Sequence, residues 1–144
     1  EFHNLGWLRA AGVPAAKPLV GCVWSLRGLP RHQFSAAELI ADARGLDQLA
    51  QGQDAGLGEA LVAAGKAVAA MHVAGFAHAD CTPDAFVVDP EGAVWLVTAA
   101  NGSPKQDTAG RDASWARADV GRFTARLAEL GCDPAPFQDG YSAG

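Results

Sequence analysis

Residues 71–80, with the sequence MHVAGFAHAD, combine a helix end, a glycine turn and a His-x-Asp loop. This order is typical of the catalytic loop of phosphoryl-transfer enzymes, in which the aspartate accepts or orients the proton of the acceptor hydroxyl. Asp80 and His78 are therefore the candidate catalytic residues. The competing interpretation of Asp80 is a loop carboxylate that caps backbone amides.

Composition and charge exclude several other classes of protein. The chain has 144 residues, of which 49% are hydrophobic and 19% charged, as expected for a single globular domain. The net charge is -5, and the few lysines form no basic stripe, which argues against nucleic-acid binding. The three cysteines lie far apart without C-x-x-C spacing, so neither a disulfide framework nor a structural zinc site is predicted.

The sequence contains no predicted membrane span. No apolar run approaches the roughly 20 residues that cross a bilayer, and no charged segment followed by an apolar one opens the chain. The first residue is glutamate rather than methionine, so what precedes it is left open.

Hydrophobic periodicity predicts the elements that position the loop. Helices are predicted over residues 1–11, 46–49, 57–73 and 113–130. Strands are predicted from residue 17 to 27 and onward to about residue 40, as one hairpin, and over residues 86–88 and 94–97, as a second hairpin around a type I turn. Residues 42–45 are predicted to form a connector, and residues 101–110 are predicted to form a polar loop.

Several pieces of the chain together resemble one bacterial enzyme family. They are residues 1–5, 11–14, 71–80, 94–97, 117–122 and 138–141. They are similar to the lipopolysaccharide core kinases, the Kdo and heptose kinases, over nearly the whole chain. The resemblance implies an α+β, protein-kinase-like fold in a single domain, residues 1–144. Residues 1–41 would be a remnant of the small lobe with the hinge, a helix plus a β-hairpin, and residues 42–144 the helical catalytic lobe.

The resemblance also implies ligands and a location. Members of such a family would use ATP and magnesium to phosphorylate a sugar hydroxyl of lipid-linked core oligosaccharide. We expect a cytoplasmic protein that is peripheral to the inner membrane.

This chain departs from the family pattern at the metal ligands. The resemblance places an asparagine five residues after Asp80 and an aspartate after the strand at 94–97, and these positions hold Ala85 and Thr98. Alanine has no ligand atom, and a threonine hydroxyl is a poor replacement for a carboxylate on a hard cation. We therefore predict no metal ligand at either position and weak or absent binding of ATP with magnesium. Asn101 or Asp107 would be the alternative donors.

The resemblance assigns nucleotide contacts to three further residues. Glu38 and Ile40 stand where a kinase hinge presents backbone groups to adenine, and the alternative is a buried strand that leads into the connector. Glu1 occupies the position at which the family pattern has a helix glutamate that pairs with a strand lysine. Neither that lysine nor a glycine-rich loop precedes it in this sequence.

The remaining polar residues near the loop have structural interpretations. An acidic residue on an apolar helix face is costly unless it is hydrogen-bonded, and the resemblance implies that Asp119 braces the backbone of residues 78–80. His72 at the helix end is expected to be a hydrogen-bonded packing residue, and His78 to pack under the loop.

Cys81 admits two other hypotheses. Paired with His78 it would be a nucleophile, but a small buried hydrophobe is the better interpretation. A metal site built from His72, His78, Asp80 and Cys81 fits no familiar zinc spacing.

Three functions remain open from the sequence. The first is a kinase-like domain of this family with little or no phosphoryl transfer. The second is a non-catalytic module that binds a partner or a nucleotide. The third is an enzyme that residues outside this chain, or a partner chain, complete.

Overall fold

The structure is a computed structural model, and it describes residues 2–27, 29–105 and 110–144. Its helices are α1 (Phe2–Ala10), α2 (Leu46–Gly52), α3 (Leu57–Val73), α4 (Ser114–Glu129) and α5 (Ala135–Ala143), with a 3-10 turn at Pro83–Ala85. Its strands are β1 (Pro18–Leu26), β2 (Leu29–Ala37), β3 (Arg44–Gly45), β4 (Phe76–Ala77), β5 (Phe86–Val88), β6 (Val94–Leu96) and β7 (Ser103–Pro104). Two residues named above, Glu1 and Asp107, lie outside the described residues.

Helix α1 packs on the antiparallel hairpin β1–β2. Gly21 allows this contact, because a Cβ at that position would lie 2.8 Å from the Cβ of Phe2. The second strand was predicted to reach about residue 40 but ends at Ala37. Ala37 is opposite Pro18, the first residue of β1, so residues beyond it have no partner strand.

The second hairpin, β5–β6, joins β3 in a three-stranded sheet of order β3-β5-β6. Asp89 closes its turn by accepting the N–H of Ala93 and the indole N–H of Trp95. The hydrogen bond from Trp95 is the main reason that the pKa of Asp89 lies below its usual value. A parallel bridge between Ala15 and Leu96 joins the segment after α1 to this sheet.

Helix α3 is the centre of the larger part of the molecule. It contacts α5 through residues 62–69, and Phe137 of α5 stacks on Phe123 of α4 with ring centroids 4.0 Å apart. The sequence pattern predicted no helix after residue 130. Prolines and glycines weaken the helical signal there, and tertiary packing overrides that local preference.

The loop between α3 and β5 contains the His-x-Asp motif. Strand β4 pairs with β7, so the segment predicted to be a polar loop contributes a short strand that holds the start of the motif. In the parts of the chain that the structure describes, no helix has the length and apolar character needed to cross a bilayer.

Candidate functional site

The loop places Asp80 at the surface and His78 in the interior. Between them, Ala79 adopts a left-handed backbone conformation with φ of 67°. This conformation is unfavourable for a residue with a Cβ and persists where neighbouring groups hold it. The loop therefore turns the Asp80 side chain outward at the cost of local strain.

Asp119 on α4 supplies the support for this backbone. Its Oδ2 accepts the N–H of His78 at 2.8 Å, and its Oδ1 accepts the N–H of Ala79 at 3.0 Å. The carboxylate is fully buried, and Arg122 one turn later donates to Oδ1 at 3.0 Å. One carboxylate thus satisfies two consecutive loop amides, including that of the strained residue.

His72 links this carboxylate to the C-terminal helix. Its Nε2 lies 3.4 Å from Asp119 Oδ2, and its Nδ1 lies 2.9 Å from the hydroxyl of Tyr141. A neutral imidazole that donates from Nε2 accepts the Tyr141 O–H at Nδ1, so both ring nitrogens are satisfied. The rings of Trp115 and His72 also pack in a T-shaped arrangement, with their centroids 5.4 Å apart.

Two opposing effects set the pKa of Asp119. Burial acts to raise it, but the hydrogen bonds from His72 and from the His78 N–H outweigh burial, so the pKa lies below its usual value. A carboxyl group whose pKa is lower in the folded protein stabilises the fold above its unfolded pKa, which is about 3.9 for aspartate. That contribution is lost as the pH falls through the folded pKa.

We therefore expect acid to weaken the fold through Asp119. The free energy of unfolding, measured by urea denaturation, should fall as the pH is lowered from about 5 toward 2. The Asp119→Asn variant should have a lower free energy of unfolding at neutral pH than the wild type. This free energy should also change less as the pH is lowered, because the asparagine side chain cannot be protonated in this range. An acid dependence equal to that of the wild type would contradict this assignment.

His78 connects the motif to the segment after β6. Its Nε2 donates to the carbonyl of Thr98 at 2.8 Å. Its Nδ1 is buried and has no hydrogen-bond partner among the residues that the structure describes. Asn4 of α1 holds the same segment by donating to the carbonyls of Ala99, at 2.7 Å, and Gly102, at 2.8 Å.

The two positions that the resemblance assigns to metal ligands carry neither a carboxylate nor an amide side chain. Ala85 presents a methyl group that is 1% exposed, and Thr98 presents a half-buried hydroxyl. Asp80 is the one carboxylate at the three positions, whereas magnesium prefers several oxygen ligands in near-octahedral geometry. Within the described residues, no group of three or more His, Cys, Asp or Glu side chains could hold a metal ion.

Cys81 is buried directly behind the loop. Burial is the main cause of a thiol pKa well above the ordinary value, and the neighbouring charge of Asp119 adds to the increase. A thiol that remains protonated is a weak nucleophile. The site therefore favours the interpretation of Cys81 as a small hydrophobic residue.

The hinge-like segment lies at the end of β2. The N–H of Glu38 donates to the carbonyl of Lys17 at 2.8 Å, and its carboxylate accepts the Lys17 N–H at 2.9 Å. The carbonyl of Glu38 and the N–H of Ile40 form no hydrogen bond within the described parts of the chain. This acceptor and this donor are two residues apart along the chain. Glu1, the third residue assigned to nucleotide contact, lies outside the described residues.

Several supporting residues had no role in the sequence interpretation. Tyr141 was part of a family-like segment, but no periodicity linked it to His72. Arg111 donates to the carbonyls of Tyr141 and Ser142 at the end of α5. The signal that could have found Asn4 was its place in the family-like segment of residues 1–5.

Comparison with known proteins finds a matching family model and similar solved structures. The model of the lipopolysaccharide kinase (Kdo/WaaP) family matches residues 1–131. Among solved structures, WaaP in complex with acyl carrier protein is similar, with 19% sequence identity and a TM-score of 0.77. The match covers 99% of this chain and 65% of that chain, so this chain spans less than two thirds of that relative. It confirms the predicted α+β, protein-kinase-like fold. No curated protein sequence matches.

Proposed function

The chain belongs to the lipopolysaccharide kinase (Kdo/WaaP) family, and we propose that it is a kinase-like binding module with little or no magnesium-dependent phosphoryl transfer. The observation that carries this proposal is the buried methyl group of Ala85, five residues after Asp80. Transfer relies on positioning and on electrostatic neutralisation of the triphosphate. Without metal ligands at Ala85 and Thr98, the second of these contributions is lost.

The loop itself supports a derived kinase rather than an unrelated fold. Asp119 fixes the backbone of His78 and Ala79, and the Asp80 side chain faces solvent where an acceptor hydroxyl would approach. In the proposed module, Asp80 and His78 have a positioning role rather than a catalytic one. Asp119 and His72 hold the loop in place. The Glu38 carbonyl and the Ile40 N–H, which form no hydrogen bond within the described residues, would be the groups that bind adenine.

The family membership also suggests ligands. We infer that ATP, bound without a dependence on magnesium, and lipid-linked core oligosaccharide are the molecules to test. The location that follows is the cytoplasmic face of the inner membrane. Because the similar WaaP structure contains acyl carrier protein, that protein is a third candidate partner.

Restoring the metal ligands is the direct test of this function. The double variant Ala85→Asn with Thr98→Asp should gain magnesium-dependent ATP binding, measured by calorimetry, because it recreates the ligand pair expected of a kinase. Adding Asp80→Asn to the double variant is the matched control for phosphoryl transfer: binding should remain and any acquired transfer should be lost. Melting curves of all variants establish that each is folded.

Two outcomes would contradict the proposal. Magnesium-dependent phosphoryl transfer by the unmodified chain would mean that it is an active enzyme with ligands elsewhere. A folded double variant that binds ATP no better with magnesium than without it would mean that Ala85 and Thr98 are not the positions at which metal binding was lost.

A further inference from the structure

The hairpin β1–β2 exposes large apolar side chains. The exposed fractions are 57% for Leu19, 41% for Val20, 64% for Val23, 57% for Trp24 and 61% for Phe34. Single exposed apolar residues are common on soluble proteins, whereas several on one face of a hairpin indicate an interaction surface.

The strand register places three of these five residues on one face of the hairpin. Alternate residues of a strand point to the same face, and residues opposite one another in an antiparallel pair share it. Val20 and Trp24 therefore lie on the same face as Phe34, which is opposite Cys22. Gly21 belongs to the other face, which contacts Phe2 of α1. We call the face that carries Val20, Cys22, Trp24 and Phe34 the outer hairpin face.

The charge around this face differs in sign from that of the whole chain. Residues 2–37 contain four basic residues and no acidic residue, although the chain has a net charge of -5. Lys17 and Arg27 are exposed near the two ends of β1. Nη1 of Arg9 lies 3.7 Å from Oε1 of Glu38, so the charge of Arg9 is partly neutralised. The outer hairpin face thus belongs to the most basic segment of an acidic protein.

We propose that the outer hairpin face docks on an anionic phospholipid surface. Aromatic and aliphatic side chains insert at the boundary between headgroups and acyl chains, and neighbouring cations are attracted to anionic headgroups. A second copy of the chain is the less favoured occupant, because pairing two such faces brings together two segments that contain only basic charges. The inference rests on the proposed location at a membrane and names the surface that makes the contact.

Co-sedimentation with vesicles tests this surface. The intact chain should bind vesicles of phosphatidylglycerol and phosphatidylcholine, bind phosphatidylcholine alone more weakly, and lose binding at high salt. Trp24→Ser with Phe34→Ser should weaken binding by about tenfold or more. Val73→Ser is the matched control, since Val73 on α3 is 56% exposed but lies outside the hairpin, and it should bind as the wild type does.

A second measurement uses the exposed thiol of Cys22. An environment-sensitive fluorophore attached there, in a Cys132→Ser background, should shift to the blue when anionic vesicles are added. This readout reports the position of the hairpin directly, so it does not depend on the double variant's stability.

The possible outcomes distinguish an error in this surface from an error in the proposed membrane location. An intact chain that binds no vesicle would overturn both the surface and the membrane location. Vesicle binding retained by a folded double variant, with no fluorescence shift, would overturn the surface alone. Concentration-dependent dimerisation abolished by the double variant, without vesicle binding, would assign the face to a second copy. None of these results depends on whether the chain binds nucleotide.

Discussion

Gly65→Ala is expected to separate α5 from α3 and to lower the free energy of unfolding by about 3 kcal/mol. A Cβ on Gly65 would lie 2.2 Å from the carbonyl oxygen of Phe137 and 2.6 Å from the backbone nitrogen of Tyr141. Both are backbone atoms, so no side-chain rotation relieves the overlap. Gly140 makes the reciprocal approach, since its Cβ would lie 2.1 Å from the carbonyl oxygen of Val62.

Gly121→Ala is the matched control for this prediction. Gly121 lies inside α4, and apart from its chain neighbours and its own helix backbone no heavy atom of the described residues lies within 4 Å of the position of its Cβ. Alanine is the better helix former by roughly 0.5–1 kcal/mol, so this variant should be equal to or more stable than the wild type. Urea denaturation of the three proteins measures the difference. A Gly65→Ala protein as stable as the wild type would contradict the close packing of α3 and α5.

Asp119→Ala should have the second large effect, a loss of about 3 kcal/mol. The substitution leaves the amides of His78 and Ala79 without an acceptor and leaves the Nε2 of buried His72 without its carboxylate. Hydrogen bonds to a charged group contribute more than neutral ones, and unsatisfied buried donors cost free energy in addition. The strained backbone at Ala79 should then relax, which hydrogen exchange of the loop amides would report.

Arg122→Ala separates the contacts of Asp119 with the loop and His72 from its ion pair with Arg122. The Asp119 carboxylate is buried, but the Arg122 side chain is 45% exposed, so water screens the arginine charge and loss of the pair should cost about 1 kcal/mol. The control should therefore have nearly the stability of the wild type. An Asp119→Ala protein whose thermal unfolding matched the wild type would show that this carboxylate does not support the loop.

Local sequence patterns were sufficient to predict the helices and the β5–β6 hairpin around the motif, but not the short strands β4 and β7. The apolar spacing of α3 and α4 follows the helical period, and the turn at Asp89 has the residues that a type I turn requires. The His-x-Asp loop could be located because its residues are close together in sequence. The contact between Asp119 and the loop amides has the expected geometry, whereas its functional importance stays a prediction.

Long-range packing determined what the sequence could not predict. Helix α5 forms because Gly140 fits against α3 and Phe137 stacks on α4, and neither contact leaves a periodic pattern in the chain. The same reason applies to Tyr141, which reaches His72 across 69 positions. Asn4 similarly supports a segment 95 residues away, and although it belongs to a family-like segment, no local pattern links it to that partner.

The most direct test of the proposed function is thermal unfolding of the purified chain with ATP, in the presence and absence of magnesium. A ligand that binds the folded state raises the melting temperature according to its concentration and affinity. With Ala85 and Thr98 at the ligand positions, any shift caused by ATP should be the same with and without magnesium. A rise in melting temperature that requires magnesium together with ATP would contradict the account, because it would show that the chain has metal ligands at other positions.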